Sequence, residues 1–151
     1  MSIRTYVLMK VETPSDWDAY HAIRRDVLFE ARGQYDYNPD LPDERRPENL
    51  PLLLKQGCMP LGTVRLDRQP HDVAIVRLVA VRTEHQGFGH GTALLEALEQ
   101  IARNLGIREL RVHAAVDAEG FYLKHGYART LFDPGSRGGG VQMLKRLSPR
   151  Q

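Results

Sequence analysis

Residues 74–105 place the tightest constraint on the fold. An apolar run, three glycines at alternate positions and a long amphipathic stripe follow one another there without a break. Ala74-Ile75-Val76-Arg77-Leu78-Val79-Ala80-Val81 is almost wholly apolar, the pattern of a strand covered on both faces. Further on, Leu94, Leu95, Leu98, Ile101, Ala102 and Leu105 recur at helical spacing. They predict a helix from about Gly89 to Leu105, which Gly106 can close in the left-handed conformation. Between strand and helix stands Gln86-Gly87-Phe88-Gly89-His90-Gly91. Glycines at such a junction let backbone approach a ligand, and the free N–H groups of the helix start suit a phosphate. Two phosphate-binding loops fail against these residues. The P-loop ends in Gly-Lys-Ser/Thr, whereas Gly91 is followed by Thr92-Ala93. The dinucleotide fingerprint needs Gly or Ala three positions beyond its second glycine, where this chain has Thr92.

The rest of the chain alternates in the same manner. Thr5 to Val11 reads as a first strand with Val7, Met9 and Val11 on one face. Thr13-Pro14-Ser15-Asp16 opens a helix, with Thr13 as N-cap, Pro14 in the first turn and Asp16 at the positive dipole end. Tyr20, Ile23, Val27 and Leu28 carry that helix to about Ala31. Residues 34–51 hold four of the nine prolines and form a long loop, with a short helix around Asp43 to Asn49. Leu52–Lys55 and Met59–Asp67 make a hairpin in which Pro60 demands an edge or a bulge. Ile107–Ala115 is a strand, Asp117 caps a short helix running to His125, and Tyr127–Phe132 and Val141–Leu147 are the last strands. No repeat or linker divides residues 1–151, so one mixed α/β domain is expected.

Composition removes several function classes. The chain has 151 residues, with 21 Lys and Arg against 19 Asp and Glu. That near balance argues against a dedicated nucleic-acid binder. The single cysteine, Cys58, excludes a disulfide framework and a multi-cysteine metal site. His85 and His90 are five apart across a turn and lack the carboxylates of a metal site, so no metal is expected. No run of 18 apolar residues exists, and the opening MSIRTYVLMKVE lacks a signal peptide's apolar stretch. A soluble cytoplasmic chain without membrane attachment is the expectation.

Two elements in order identify a resemblance. Gln86, Gly89 and Gly91 match the Gln/Arg-x-x-Gly-x-Gly/Ala signature of the GNAT superfamily of N-acetyltransferases. About 30 residues on, Phe121-Tyr122-Leu123-Lys124-His125-Gly126-Tyr127 is similar to that superfamily's Phe-Tyr-x-x-x-Gly-Phe/Tyr element. The likeness runs from about Leu61 to Leu147. It implies a mixed central sheet of about six to seven strands with about four helices, two central strands splaying apart to admit acetyl-CoA. It further implies that CoA phosphates rest on Gln86, Gly87, Phe88, Gly89, His90, Gly91 and Thr92. Leu78, Val79, Ala80 and Val81 would meet the pantetheine arm, with Phe121 and Lys124 nearby.

The reaction so implied moves the acetyl group of acetyl-CoA to an amine by direct attack in a ternary complex. The N–H of Val79 or Val81 would stabilise the carbonyl oxygen, and Tyr122 would protonate the leaving thiolate. Ala74–Val81 offers no carboxylate as base, and Glu84, Asp67, Asp36, Glu30 or a water chain all stay open. Arg24, Tyr35, Asp36, Arg77 and His113 are candidates for the acceptor side, the acceptor being a small-molecule or peptide amine. A homodimer is compatible with the family, though no residue specifies one. The missing strand carboxylate keeps a second reading open, a module that binds acyl-CoA as a sensor with little turnover. A longer acyl chain or a hydroxyl acceptor is a third.

Overall fold

Seven strands form one mixed sheet in the order β1-β2-β3-β4-β5-β7-β6. The computed structural model describes residues 5–82, 89–136 and 138–148. Its elements are β1 (Tyr6–Lys10), α1 (Pro14–Arg24), β2 (Asn49–Gln56), β3 (Met59–Gln69), β4 (Val73–Val81), α2 (His90–Asn104), β5 (Glu109–Ala114), α3 (Glu119–Lys124), β6 (Ala128–Arg129) and β7 (Val141–Arg146). All ladders are antiparallel except β4–β5.

The sheet is covered on both faces, which is why its central strands read as continuous apolar runs. Leu52 and Leu54 of β2 join Leu94, Leu95, Leu98 and Ala102 of α2 in the larger core. The intervening Leu53 points the other way, into a smaller core with Tyr20 and Ile23 of α1 and Ala80 of β4. The α1 cap forms as the sequence predicts. Asp16 N donates to Thr13 Oγ1 at 3.0 Å, while the Asp16 carboxylate accepts from the Thr13 and Glu12 amides. The Lys55 ammonium, 3.0 Å away, holds that carboxyl down to about 2 and ties the helix start to β2.

Several expectations are refined. The helix predicted to end near Ala31 is an α-helix only to Arg24; it continues as a π turn over Arg25–Phe29 and a 3-10 turn over Glu30–Arg32, ended by Gly33 at φ +77°. The short helix expected at Asp43–Asn49 is a single 3-10 turn, Pro42–Arg45, because Asn49 already opens β2. The described residues thus hold three α-helices, one fewer than expected. Pro60 sits at a bulge: Lys55 faces Pro60 and Leu54 faces Gly62, leaving Leu61 as the extra residue. Leu105 is exposed at the helix end, and Ile107 takes the core position instead. Asp117 makes no cap; it lies in a 3-10 turn (Val116–Ala118) leading into α3. β6 is two residues long because the Gln142 side chain takes over its pairing, accepting from the amides of Phe132 and Asp133.

The final hairpin carries one severe close approach. Gly140 has φ +111°, and a Cβ there would lie 2.4 Å from the Ala114 carbonyl oxygen. Gly140→Ala is therefore expected to cost about 2–3 kcal/mol, read as a lower urea midpoint. Gly33→Ala, whose Cβ meets nothing within 4 Å, is expected to cost less.

Candidate active site

β4 and β5 pair in parallel through four residues only, from Val73 with Glu109 to Val76 with Val112. From Arg77 and His113 onward the two strands share no register, so backbone that faces the partner along the paired stretch faces a gap. The cause is local. Between Arg65–Arg77 and Thr63–Ala80 the β3–β4 register slips, so that Leu78 and Val79 together oppose Val64, and Leu78 stands at φ +56°. A bulge bends its strand and sharpens the twist, which turns the end of β4 away from β5. A bulky residue at positive φ is uncommon and persists only where its surroundings hold it.

The divergence opens a cleft of about 870 Å³. Val76 to Val79 and Val112 to Ala115 form its strand walls, Phe121 and Tyr122 its α3 wall, and Arg24, Asp36, Tyr37 and Glu44 part of the opposite side. Tyr122 is buried, and burial pushes its phenol up to about 12. Its ring packs edge-on against Phe121 and Tyr127, each at 5.3 Å between centroids. It holds its proton throughout the neutral range.

The start of α2 adjoins the cleft through Phe121. That ring lines the cleft and lies 3.5 Å from where a Cβ on Gly91 would stand. Gly89 is the N-cap in the left-handed conformation at φ +83°, no side chain among the described residues caps the helix, and its first turn carries no acidic residue. The helix start is thereby left ready for an anion. Gln86, Gly87 and Phe88, together with Glu84, lie outside the described residues.

Among the other predicted cofactor contacts, Leu78 and Val79 line the cleft, whereas Ala80 is buried in the core beneath α1. Val81 and Lys124 are not part of the lining, and Lys124 is exposed on α3. The His90 ring is buried and hydrogen-bonded to Tyr6 OH at 2.7 Å, so this side chain serves the sheet contact. Thr92 Oγ1 lies 3.1 Å from His125 Nε2, and the His125 ring leans on Phe121 at 4.8 Å.

On the opposite side the structure brings together Arg24, Asp36, Arg77 and His113, all in the cleft wall, and leaves out Tyr35. Tyr35 is 80% exposed. Tyr37 takes the inner place because His21 and Phe29 hold it, by a hydrogen bond and by an edge-on ring contact at 5.0 Å. His113 packs edge-on against Phe132 at 5.0 Å. Glu30 does not line the cleft. Asp67 has both oxygens engaged, by Arg65 at 2.7 and 2.9 Å and by Arg77 at 2.8 Å, so its carboxylate is committed to the two arginines.

Two buried residues of the cleft escape the sequence reading, Glu44 and Arg65. Glu44 accepts from Arg24 and from Tyr20 OH, and lies 3.5 Å from Arg65 Nη1. The Arg24 guanidinium stacks over the Tyr20 ring at 3.9 Å. A signal existed. Arg24 stands one turn after Tyr20 on the buried stripe of α1, where a cation needs a carboxylate partner.

Known proteins resemble this chain in sequence and in fold. The sequence profile described as the acetyltransferase (GNAT) family matches residues 17–127. A Bacillus subtilis protein named as an acetyltransferase is 28% identical over 119 residues, which is 78% of this chain and 80% of its own length. A Lactobacillus plantarum crystal structure described as an N-acetyltransferase superposes with a TM-score of 0.80 at 27% identity, covering 95% of this chain and 99% of that one. An aminoglycoside 6′-N-acetyltransferase complexed with coenzyme A superposes with a TM-score of 0.77, covering 96% and 99%. At 16% identity that second likeness is one of fold. No helix among the described residues is long and apolar enough to cross a membrane.

Proposed function

The chain belongs to the acetyltransferase (GNAT) family, and from that premise we propose that it transfers the acetyl group of acetyl-CoA to the amine of a small-molecule or peptide acceptor, both substrates being bound together. One observation carries the reading. Where β4 leaves β5, a cleft opens whose wall includes a buried, protonated Tyr122 and which reaches the uncapped start of α2 through Phe121.

The residues present fit the donor. The amides of His90, Gly91 and Thr92 begin a 15-residue helix that, among the described residues, has no side-chain cap and no acidic residue in its first turn. Backbone of Leu78 and Val79, facing away from any β5 partner, offers N–H and C=O groups to an amide-bearing arm. The thioester supplies the acyl carbon, whose bond to sulfur breaks as the bond to nitrogen forms. The Val79 N–H stabilises the carbonyl oxygen as it gains charge. Tyr122 O–H gives its proton to the departing sulfur, and the proton lost by the amine leaves to water, from which the Tyr122 oxygen takes one back. Asp67 and Glu44 take no part in that proton transfer, since arginines occupy their oxygens.

The test is acetyl-CoA turnover across a panel of amines, read as acetylated product by mass spectrometry and as CoA thiol above the hydrolysis background. Product formation supports the enzyme. CoA binding with no product from any amine or alcohol supports the sensor reading instead. Gly89→Val examines the donor site separately. A β-branched residue at φ +83° is strained while its Cβ meets no neighbour. CoA affinity is expected to fall at least about tenfold by calorimetry, with the circular dichroism of the fold retained. Unchanged affinity overturns the assignment of the phosphates to the start of α2.

A further inference from the structure

Five charged side chains run in a chain under the α1 end of the cleft. Arg24 donates to Glu44, Glu44 lies 3.5 Å from Arg65, Arg65 forks onto Asp67, and Asp67 accepts from Arg77 Nε at 2.8 Å. Four of them are more than nine-tenths buried; only Arg77 opens outward, its side chain 41% exposed. Three guanidinium groups thus face two carboxylates, and guanidinium cannot shed its proton to restore the balance. The donors are also in surplus. Among the described residues Arg24 Nε is buried with no acceptor, and Arg77 bonds through Nε alone, its two terminal nitrogens having none. A partly buried charge of one sign is costly unless an opposite charge meets it, and a planar guanidinium fork suits a two-oxygen anion.

We propose that this chain of charges is an anion subsite, so that the acceptor is an amine carrying a carboxylate or another oxyanion in the same small molecule. The inference rests on the acetyltransferase reading of the cleft. Arg77 directly precedes the Leu78–Val79 bulge, so one stretch of β4 holds the anion and meets the reacting carbonyl. Asp36 and Asp117, exposed at the cleft rim, give the ammonium end of such a molecule its complement during entry. The same three arginines oppose a polycation, whether polyamine or aminoglycoside.

The experiment measures binding and turnover in parallel. For binding, the N-acetyl derivatives of alanine, glutamate and phenylalanine are titrated against the CoA-loaded protein by calorimetry, each beside its primary amide. For turnover, the free amino acids and 2-aminoethylphosphonate are compared with amino acid amides and with spermidine in kcat/KM. The acids are expected to win by at least about tenfold in both measurements, a margin of about 1.4 kcal/mol. The phosphonate arm separates a carboxylate subsite from one that takes any oxyanion. Arg77→Gln is expected to raise KM for the acids about tenfold with kcat nearly kept, leaving the amides unmoved. Arg77→Lys should recover part of the loss, and thermal melts establish that both variants are folded. Equal binding of acids and amides overturns the subsite, as does an Arg77→Gln defect shared by every amine. If the acids bind selectively but no amine is acetylated, the subsite stands and the transferase reading falls.

Discussion

Glu44→Ala lowers the stability of the fold by about 3–5 kcal/mol, measured as a shift of the urea midpoint at constant slope. The size of the effect follows from what the substitution leaves behind. Arg24 and Arg65 are both buried; Arg24 loses the carboxylate that compensates its charge, and Arg65 loses the second of its two, keeping Asp67. Tyr20 loses the acceptor of its hydroxyl at the same time. Glu44→Gln keeps an oxygen for one of these donors and removes only the charge, so it costs less. The loop from Gln34 to Asn49 is also tied down by the Arg45 guanidinium over the Trp17 ring at 4.1 Å and by Arg68 N donating to Glu48 O at 2.9 Å. Tyr37 holds its middle by the contact with His21, and Glu44 is the member that reaches the floor of the cleft. Glu44→Ala should therefore also weaken acceptor affinity more than CoA affinity. A wild-type urea midpoint in this variant would show that the charged chain contributes nothing to the cleft wall.

Tyr122→Phe reduces kcat by about 100-fold while KM for acetyl-CoA stays near its wild-type value. The substitution removes one oxygen and keeps the ring that packs between Phe121 and Tyr127, so the fold is retained. The pH profile gives an independent check. Burial pushes the Tyr122 hydroxyl up to about 12. An acid with that value remains protonated as pH rises and fails only as its own value is approached. The wild-type rate should then climb with pH as the acceptor amine loses its proton, with no falling limb in the neutral or mildly alkaline range. A kcat within twofold of wild type in Tyr122→Phe would remove this hydroxyl from the chemistry.

Much of the fold is legible in the sequence, and for physical reasons. The capping box at Thr13, the bulge at Pro60 and the left-handed close at Gly106 depend on local rules that single residues obey. The helix starting at His90 and the short helix that carries Tyr122 follow from motif and element type agreeing over a short stretch of chain. What the sequence hid is set by contacts across the sheet. Leu78 looks like any other apolar strand residue, yet its positive φ and the register slip beside it decide where the cleft opens. Arg65 and Asp67 alternate on β3 like solvent-facing charges, but α1 and the Pro42–Arg45 turn cover that face. Tyr35 misleads in the opposite sense, standing outside while Tyr37 is anchored within.

The four-residue β4–β5 ladder has a consequence for the molecule as a mechanical object. On one side lie β1 to β4, knit by long antiparallel pairings; on the other, β5, β7 and β6. The sheet is therefore two panels riveted along a short seam, and the cleft is the length of the same joint that carries no rivets. A molecule held at once by the backbone of β4 and by the wall beyond β5 would extend the joint across that open length. Substrate would then act as the missing portion of the sheet.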